Sequence, residues 1–359
     1  MYKIKNLVLR KEFKYNEFRT PLIPSDIKKL IYNNFIVYVE KSNLRFFKDN
    51  EYEESGAIII DNFLELNLNL KNTLIIGLKE LDINIDELFK YNHLYFSHTF
   101  KEQQNHEIIL KKFINNKGKI FDLEFFVDEN NKRIVTFGFY AGIVGCFLGL
   151  FQYYYKKIYS KNISNIKNFD SFENMVDSLK QIIQNNFSLK IVIIGANGRC
   201  GKGCKYLLDK LNFNYDVLFK NDDKTNLFKY DIILNCILLN NEYVEPFITF
   251  NNIEQFKNLT VIVDISCDYN NKFNPLPIYN NNTTFEIPVI SINNNNNSNN
   301  NSNNNNVDII SIDNLPTLLP KESSIEFSNK LIEILLNINN NVNYWKRNIE
   351  YFNNIIKKN

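Results

Sequence analysis

The 359-residue chain holds two sets of residues whose types and spacing suit chemistry. The first is Lys190-Ile-Val-Ile-Ile-Gly195-Ala-Asn-Gly198-Arg199-Cys-Gly201, an apolar run that enters a glycine turn and leaves it as a helix. Backbone N–H groups at such a helix start cradle a pyrophosphate, and the helix dipole stabilises its charge. The spacing is G-x-x-G-x-x-G and not G-x-G-x-x-G, so the loop alone also fits an ordinary strand-to-helix turn. Asp222 stands 21 positions past Gly201, after an expected strand Tyr215–Phe219. An acid there accepts from ribose hydroxyls and repels a 2′-phosphate, which favours NAD over NADP, although Lys220 and Lys224 lie beside it. The next two expected strands run into Asn235-Cys236 and Asp264-Ile265-Ser266-Cys267-Asp268. Ligands of open α/β sheets bind beyond such strand ends.

The second set is ionisable and lies in the first half: Arg10, Lys14 and Arg19; Lys79-Glu80; His98-x-x-Lys101-x-Gln103; and Asp122-Leu-Glu124. Each group falls at an expected strand end or turn. Cations there capture carboxylates, arginine bidentately. A buried lysine beside Glu and His has its pKa moved toward neutrality and serves as a base. One Lys-Glu pair alone reads as a solvated surface pair; the recurrence after successive strands is what points to a site. His93 and His106 do not fall at strand carboxyl ends and are expected to be non-catalytic. Cys200 and Cys204 sit at C-x-x-x-C with no second pair, so no metal is expected. Neither a G-x-S-x-G elbow nor a Walker loop is present.

These residues need elements to position them. Strands are expected at Phe35–Val39, Thr73–Leu78, Leu94–Ser97, Lys119–Asp122, Lys190–Ile194, Asp231–Cys236 and Val261–Ile265. Helices are expected at Ser25–Asn33, Lys101–Ile114, Tyr140–Tyr155, Glu173–Asn185, Arg199–Lys210, Ser323–Leu336 and Tyr344–Lys357, with Ser25 as an N-cap. The alternation implies an α/β protein with parallel sheets covered on both faces. The apolar stretch Ile134–Tyr155 is long enough to cross a bilayer, but its period changes midway. It is therefore read as a strand (Arg133–Phe139) followed by a buried helix. The length suits two domains, and 44% hydrophobic residues suffice for cores. A net charge of +2 argues against an electrostatic nucleic-acid binder. The run Asn293–Asn306 holds only Asn and Ser and is read as a surface-loop expansion.

Several blocks occur in one order along nearly the whole chain. They are Ile75-Ile-Gly-Leu-Lys-Glu80, Phe96-Ser-His-Thr-Phe-Lys-Glu-Gln103, Phe121-Asp-Leu-Glu-Phe125, Phe137-Gly-Phe-Tyr-Ala-Gly142, the glycine loop, Val263-Asp-Ile-Ser266, Asn274-Pro-Leu-Pro-Ile-Tyr279 and Ile310–Lys321. Together they resemble the NAD-dependent, L-lysine-forming saccharopine dehydrogenases, and more distantly alanine dehydrogenase. The resemblance implies two Rossmann-like domains with an active-site cleft between them. The boundaries it implies are 1–139 plus 320–359 for the substrate domain and 140–319 for the NAD domain. The implied reaction converts saccharopine, NAD and water to lysine, 2-oxoglutarate and NADH, the last step of lysine synthesis by the aminoadipate route. Lys79 matches the general base and His98 its acid–base partner, with Glu80 and Glu124 setting their charge. Lys14, Arg19, Phe137, Ser266, Cys267 and Asp268 match substrate-binding positions. Gln103, Lys132, Gly195, Gly198, Arg199, Gly201, Asp222, Thr225, Leu238, Ile265, Asp313, Asn314 and Leu315 match cofactor-binding positions.

The chain departs from the family in places. Lys132, followed by Arg133, replaces an arginine that contacts cofactor and so loses its bidentate fork. Leu238 replaces a tyrosine. The ribose-binding aspartate falls on Asn221 or Asp222. Cys200 and Cys236 match two positions that can bridge, and free thiols are expected in a reducing cytoplasm. The expected protein is a cytoplasmic monomer with small-molecule substrates and with neither nucleic-acid nor membrane partners. The alternatives are an alanine dehydrogenase, an NADPH-dependent lysine–2-oxoglutarate reductase, or a non-catalytic protein on the same fold.

Overall fold

The computed structural model describes residues 3–101, 105–183, 189–219, 222–223, 225–239, 243–293, 306–340 and 342–356. The chain divides into two units, Met1–Thr136 with Pro320–Asn359, and Phe137–Leu319. In the first unit, short apolar runs become strands that are buried at the centre of the sheet and partly exposed at its edge, where Ile58 is 47% exposed. These are β1 (Asn6–Leu9), β2 (Ile36–Glu40), β3 (Ile58–Ile60), β4 (Thr73–Ile76), β5 (Asn92–Tyr95) and β6 (Lys119–Asp122). They form one parallel sheet in the order β3-β2-β1-β4-β5-β6. Helices α1 (Pro24–Tyr32), α2 (Asp49–Glu54) and α3 (His106–Asn116) connect the strands.

The second unit opens with α4 (Gly138–Tyr159) and α5 (Phe172–Ile182). There follow β7 (Ile191–Ile194), α6 (Arg199–Lys210), β8 (Asp216–Leu218), β9 (Ile232–Asn235), β10 (Val261–Asp264), β11 (Ile290–Asn293) and β12 (Asn306–Ile310). Its sheet runs β11-β12-β10-β9-β7-β8 and is parallel except for β11. The small residues of α4 bring backbones together: a Cβ on Gly142 would lie 1.8 Å from Cys200 O, and one on Gly203 of α6 would lie 2.0 Å from Phe139 O. The chain then returns to the first unit as α7 (Pro320–Leu336) and α8 (Asn343–Ile356). There α7 caps the chain ahead of α1: its Ser324 and Ser328 hydroxyls accept the N–H groups of Thr20 and Ile23 at 2.9 and 3.0 Å.

The structure corrects several sequence expectations. No strand forms over Arg133–Phe139. β-branched residues favour extended backbone, but among the described residues pairing stops at an isolated Val127–Arg133 bridge and an Ile134 N–H bond to Phe126 O at 2.9 Å, and α4 starts at Gly138. Among the described residues no helix is long and apolar enough to cross a membrane. The α1 N-cap is Ile23, not Ser25; Pro24 takes the first helical position, where its missing N–H costs nothing. His93 lies inside β5, not before it. Strands β1, β3, β11 and β12 are additional. The Asn-rich run borders an antiparallel hairpin, since Asn293 of β11 pairs with Asn306 of β12. Residues 294–305 lie outside the described ones.

The Asn excess has a conformational use. Of the eleven described non-Gly residues with positive φ, seven are Asn: 16, 34, 67, 105, 131, 165 and 212. Asparagine tolerates the left-handed region better than other residues with a Cβ. It serves here where many chains place Gly, of which this one has only 11.

Candidate active site

In the first unit the strand order reverses direction at β1 and β4, which makes the crevice beyond their carboxyl ends the expected ligand position. Arg10 follows β1 and is 1% exposed. Its guanidinium donates to Glu12 at 3.1 Å, to Lys11 O at 3.0 Å and to Lys79 O. Gly77 leaves it room, since a Cβ there would lie 2.4 Å from the guanidinium carbon. Glu12 completes the clamp, accepting the N–H of Leu78 at 2.7 Å and that of Lys79 at 2.9 Å. Burial pushes the Glu12 carboxyl up, and Arg10 and the two N–H groups only partly offset this. The turn carrying Lys79, half-buried, and Glu80, exposed, is thus fixed from β1.

Arg19 and Glu17 form a buried bidentate pair at 2.7 and 2.6 Å. Burial alone would raise the Glu17 carboxyl. The Arg19 charge and hydrogen bonds, with the charge of Lys79, hold it below its ordinary value. Lys14 is half-buried on the same loop, and the crevice also takes in Ser42, Leu44 and Arg45.

At the next two strand ends lie His98 and Glu124. His98 has φ +54 and stacks on Phe96, with centroids 6.5 Å apart. Glu124 pairs with Arg133 at 3.2 Å. Between their turns the Asp122 carboxylate accepts from Ser97 Oγ at 2.7 Å, and burial pushes it up to about 6. His93 is different: burial pushes it down to about 3, and its Nε2 bonds Leu88 O at 2.8 Å, so it stays neutral in the core.

In the second unit the reversal falls between β7 and β9. Gly195 leaves β7 at φ +85, and a Cβ on it would lie 2.8 Å from Cys236 O. A Cβ on Gly201 would lie 2.5 Å from Ala196 Cα, so the loop and α6 meet as bare backbone. At Gly198 a Cβ would meet, among the described residues, only Gly195 O at 3.4 Å. The loop is closed by packing at its first and third glycines and open at the second, ahead of Arg199 at the α6 N-terminus. This suits a pyrophosphate.

Beyond β8, the Asp222 carboxylate accepts Phe219 N–H at 2.8 Å, and Thr225 is tied to Asp223 at 2.7 Å. Asn221 lies outside the described residues, as does Gln103. Beyond β10, buried Asp264 accepts from Asn235 Nδ2 at 2.9 Å, Ser266 N–H at 3.1 Å and the Tyr279 hydroxyl. Ser266 Oγ donates to Ile237 O. Cys267 has φ +55, and burial pushes its thiol well up. Asp268 follows, half-buried. Leu238 is 64% exposed, whereas Ile265 and Leu315 are core side chains packed at Gly145. Asp313 and Asn314 form the turn before a short helical segment, Leu315–Leu318. None of the five cysteines is in a disulfide, and Cys204 Sγ lies 3.7 Å from Cys236 Sγ.

The first unit thus gathers Lys14, Arg19, Lys79, Glu80, His98 and Glu124 at adjacent strand ends. Lys132 stands apart, exposed on a turn where its N–H bonds Asp128 at 2.8 Å. Phe137 opens the second unit as the residue before α4. Sequence reasoning missed Glu12, Glu17, Ser97 and Tyr279. Recognising Leu7–Leu9 as the end of a strand would have drawn attention to Glu12.

Comparison with known proteins gives two family matches. The alanine dehydrogenase/PNT N-terminal domain matches residues 8–144, and its C-terminal domain matches residues 165–357. A saccharopine dehydrogenase [NAD(+), L-lysine-forming] of Schizosaccharomyces pombe is 33% identical, covering 98% of this chain and 99% of that protein. The Candida glabrata protein of the same name is 33% identical over 92% of this chain and 90% of its own length. An L-alanine dehydrogenase structure shares the fold, with a TM-score of 0.67 at 14% identity over 94% of this chain and 90% of that one.

Proposed function

The chain belongs to the NAD-dependent, L-lysine-forming saccharopine dehydrogenases, and from that premise we propose that it converts saccharopine, NAD and water to L-lysine, 2-oxoglutarate and NADH, closing lysine synthesis by the aminoadipate route. The observation that carries the reading is the clamped Lys79 turn, flanked by Arg19, at the reversal point of the first sheet. The glycine loop of the second unit fits a dinucleotide, being open at Gly198 where a phosphate approaches. Gly195, Gly198, Arg199, Gly201, Asp222 and Asp313 would hold it, with Thr225, Leu238, Ile265, Asn314, Leu315, Gln103 and Lys132 as further contacts. Bound there, NAD would supply the acceptor for the hydride of the substrate's glutamate-side carbon.

The chain's own residues do the rest. Lys14 and Arg19 bind substrate carboxylates, and Phe137, Ser266, Cys267 and Asp268 complete the substrate contacts. Lys79 Nζ, neutral, removes the proton of the substrate ammonium, so that its nitrogen lone pair is available as the carbon–nitrogen double bond forms. His98 then moves protons as water adds at that carbon and as the carbon–nitrogen bond breaks. Glu80 and Glu124 set the charge balance of this pair. A cytoplasmic monomer is part of the proposal. An assay with NADH or NADPH, and with lysine plus 2-oxoglutarate or ammonium plus pyruvate, tests it. Oxidation of NADH with the first substrate pair is expected. A preference for pyruvate or for NADPH would move the chain to a sister activity.

A further inference from the structure

One buried side chain at the ends of β5 and β6 holds two of the residues on which this chemistry depends. Asp122, the last residue of β6, is 1% exposed. Its Oδ2 accepts from Ser97 Oγ at 2.7 Å, and its Oδ1 accepts from Glu124 N–H at 3.0 Å. The Ser97 hydroxyl oxygen accepts Thr99 N–H at 3.2 Å, and Thr99 Oγ1 donates back to Ser97 O at 3.2 Å. His98 sits between these two tied residues in the left-handed conformation, which is uncommon for residues with a Cβ. The Asp122 backbone is fixed as well: Asn348 of α8 accepts its N–H at 3.1 Å and donates to its carbonyl at 3.2 Å.

We propose that Asp122 is a positioning residue for the reaction, its carboxylate setting both the left-handed turn that carries His98 and the turn that carries Glu124. The inference rests on His98 and Glu124 acting as described above. Two side chains from adjacent strands must stay in fixed register through a proton transfer, and one rigid acceptor serving both turns provides that. Burial disfavours the carboxylate's own charge, so its ionised form costs the fold stability.

Asp122→Asn and Ser97→Ala test this in the full chain. Asparagine has a single acceptor oxygen, so with Glu124 N–H on that oxygen the Ser97 hydroxyl can no longer donate and must turn to accept from the amide NH2. Ser97→Ala cuts the link from the other side. Both variants should bind NADH as wild type does, keep the KM for saccharopine, and lose about tenfold or more in kcat, the scale expected of a misplaced acid–base group. In a His98→Gln background Ser97→Ala should cost little more, because the group it places is gone, whereas Asp122→Asn keeps the part of its loss that comes from Glu124. Wild-type kcat in both single variants, or full additivity with His98→Gln, overturns the assignment. Should Asp122→Asn fail to fold, the kcat and the double-variant result for Ser97→Ala decide alone. An inactive wild-type chain would instead overturn the dehydrogenase reading beneath it.

Discussion

Lys79 is held by its backbone as much as by its charge surroundings. Glu12 takes its N–H, Arg10 takes its carbonyl, and its charge is felt by buried Glu17. The side chain is therefore presented from a fixed turn. Lys79→Met should bind NADH unchanged and lose about 10²–10⁴-fold in turnover; unchanged turnover removes Lys79 as the base. His98→Gln should be slower and should lose the pH dependence of the wild-type rate.

Asp122 gives a prediction on stability. Burial holds its folded pKa at about 6, above the unfolded carboxylate range, with Glu124 on its own turn, Tyr95 of β5 and Tyr351 of α8 sharing its field. The folded chain therefore binds this proton more tightly than the unfolded chain. The stabilisation is complete below the unfolded pKa and is lost as pH rises through about 6. Asp122→Asn does not titrate, so it should gain on wild type by about 2–3 kcal/mol between roughly pH 4 and pH 8. Denaturant titrations at the two pH values check this. A more stable and slower variant would separate placement from scaffolding.

At the scale of elements, each unit offers chemistry where its strand order reverses, and each bends the chain at a strand end with a left-handed residue that is neither Gly nor Asn: His98 after β5 and Cys267 after β10. The glycine loop was legible because its requirements are local, a strand, three glycines and a helix within a dozen residues. Glu12 was not legible, because the N–H groups it takes lie 66 and 67 positions away. Neither was β1, a four-residue run whose strand character depends on having β2 and β4 on either side. The expected strand over Arg133–Phe139 failed for the converse reason, a β-forming sequence with no ladder to join. The α4–α6 contact yields a test: Gly142→Ala puts a Cβ against the Cys200 carbonyl, which is backbone and cannot turn away. It should cost about 1–3 kcal/mol in a denaturant titration.

For the whole molecule, the near-neutral charge of +2 conceals buried pairs such as Arg19 with Glu17 and Arg10 with Glu12. The Asn excess has two separate sources. Single asparagines occupy left-handed positions throughout both units, whereas the long run joins β11 to β12. Asn293 and Asn306 are already paired, so a two-residue Asn-Gly turn can close that hairpin. Replacing 294–305 with it should leave kcat/KM within about twofold, since closure entropy varies slowly with loop length. A large loss would give the run a role in the reaction.

The most direct test follows the hydride. Saccharopine carrying deuterium on the carbon of its glutamate side is incubated with NAD and the purified chain, and the products are read by mass spectrometry. Deuterated NADH with equal amounts of lysine and 2-oxoglutarate is the expected result. Unlabelled NADH accompanied by glutamate, or no NADH at all, would contradict it.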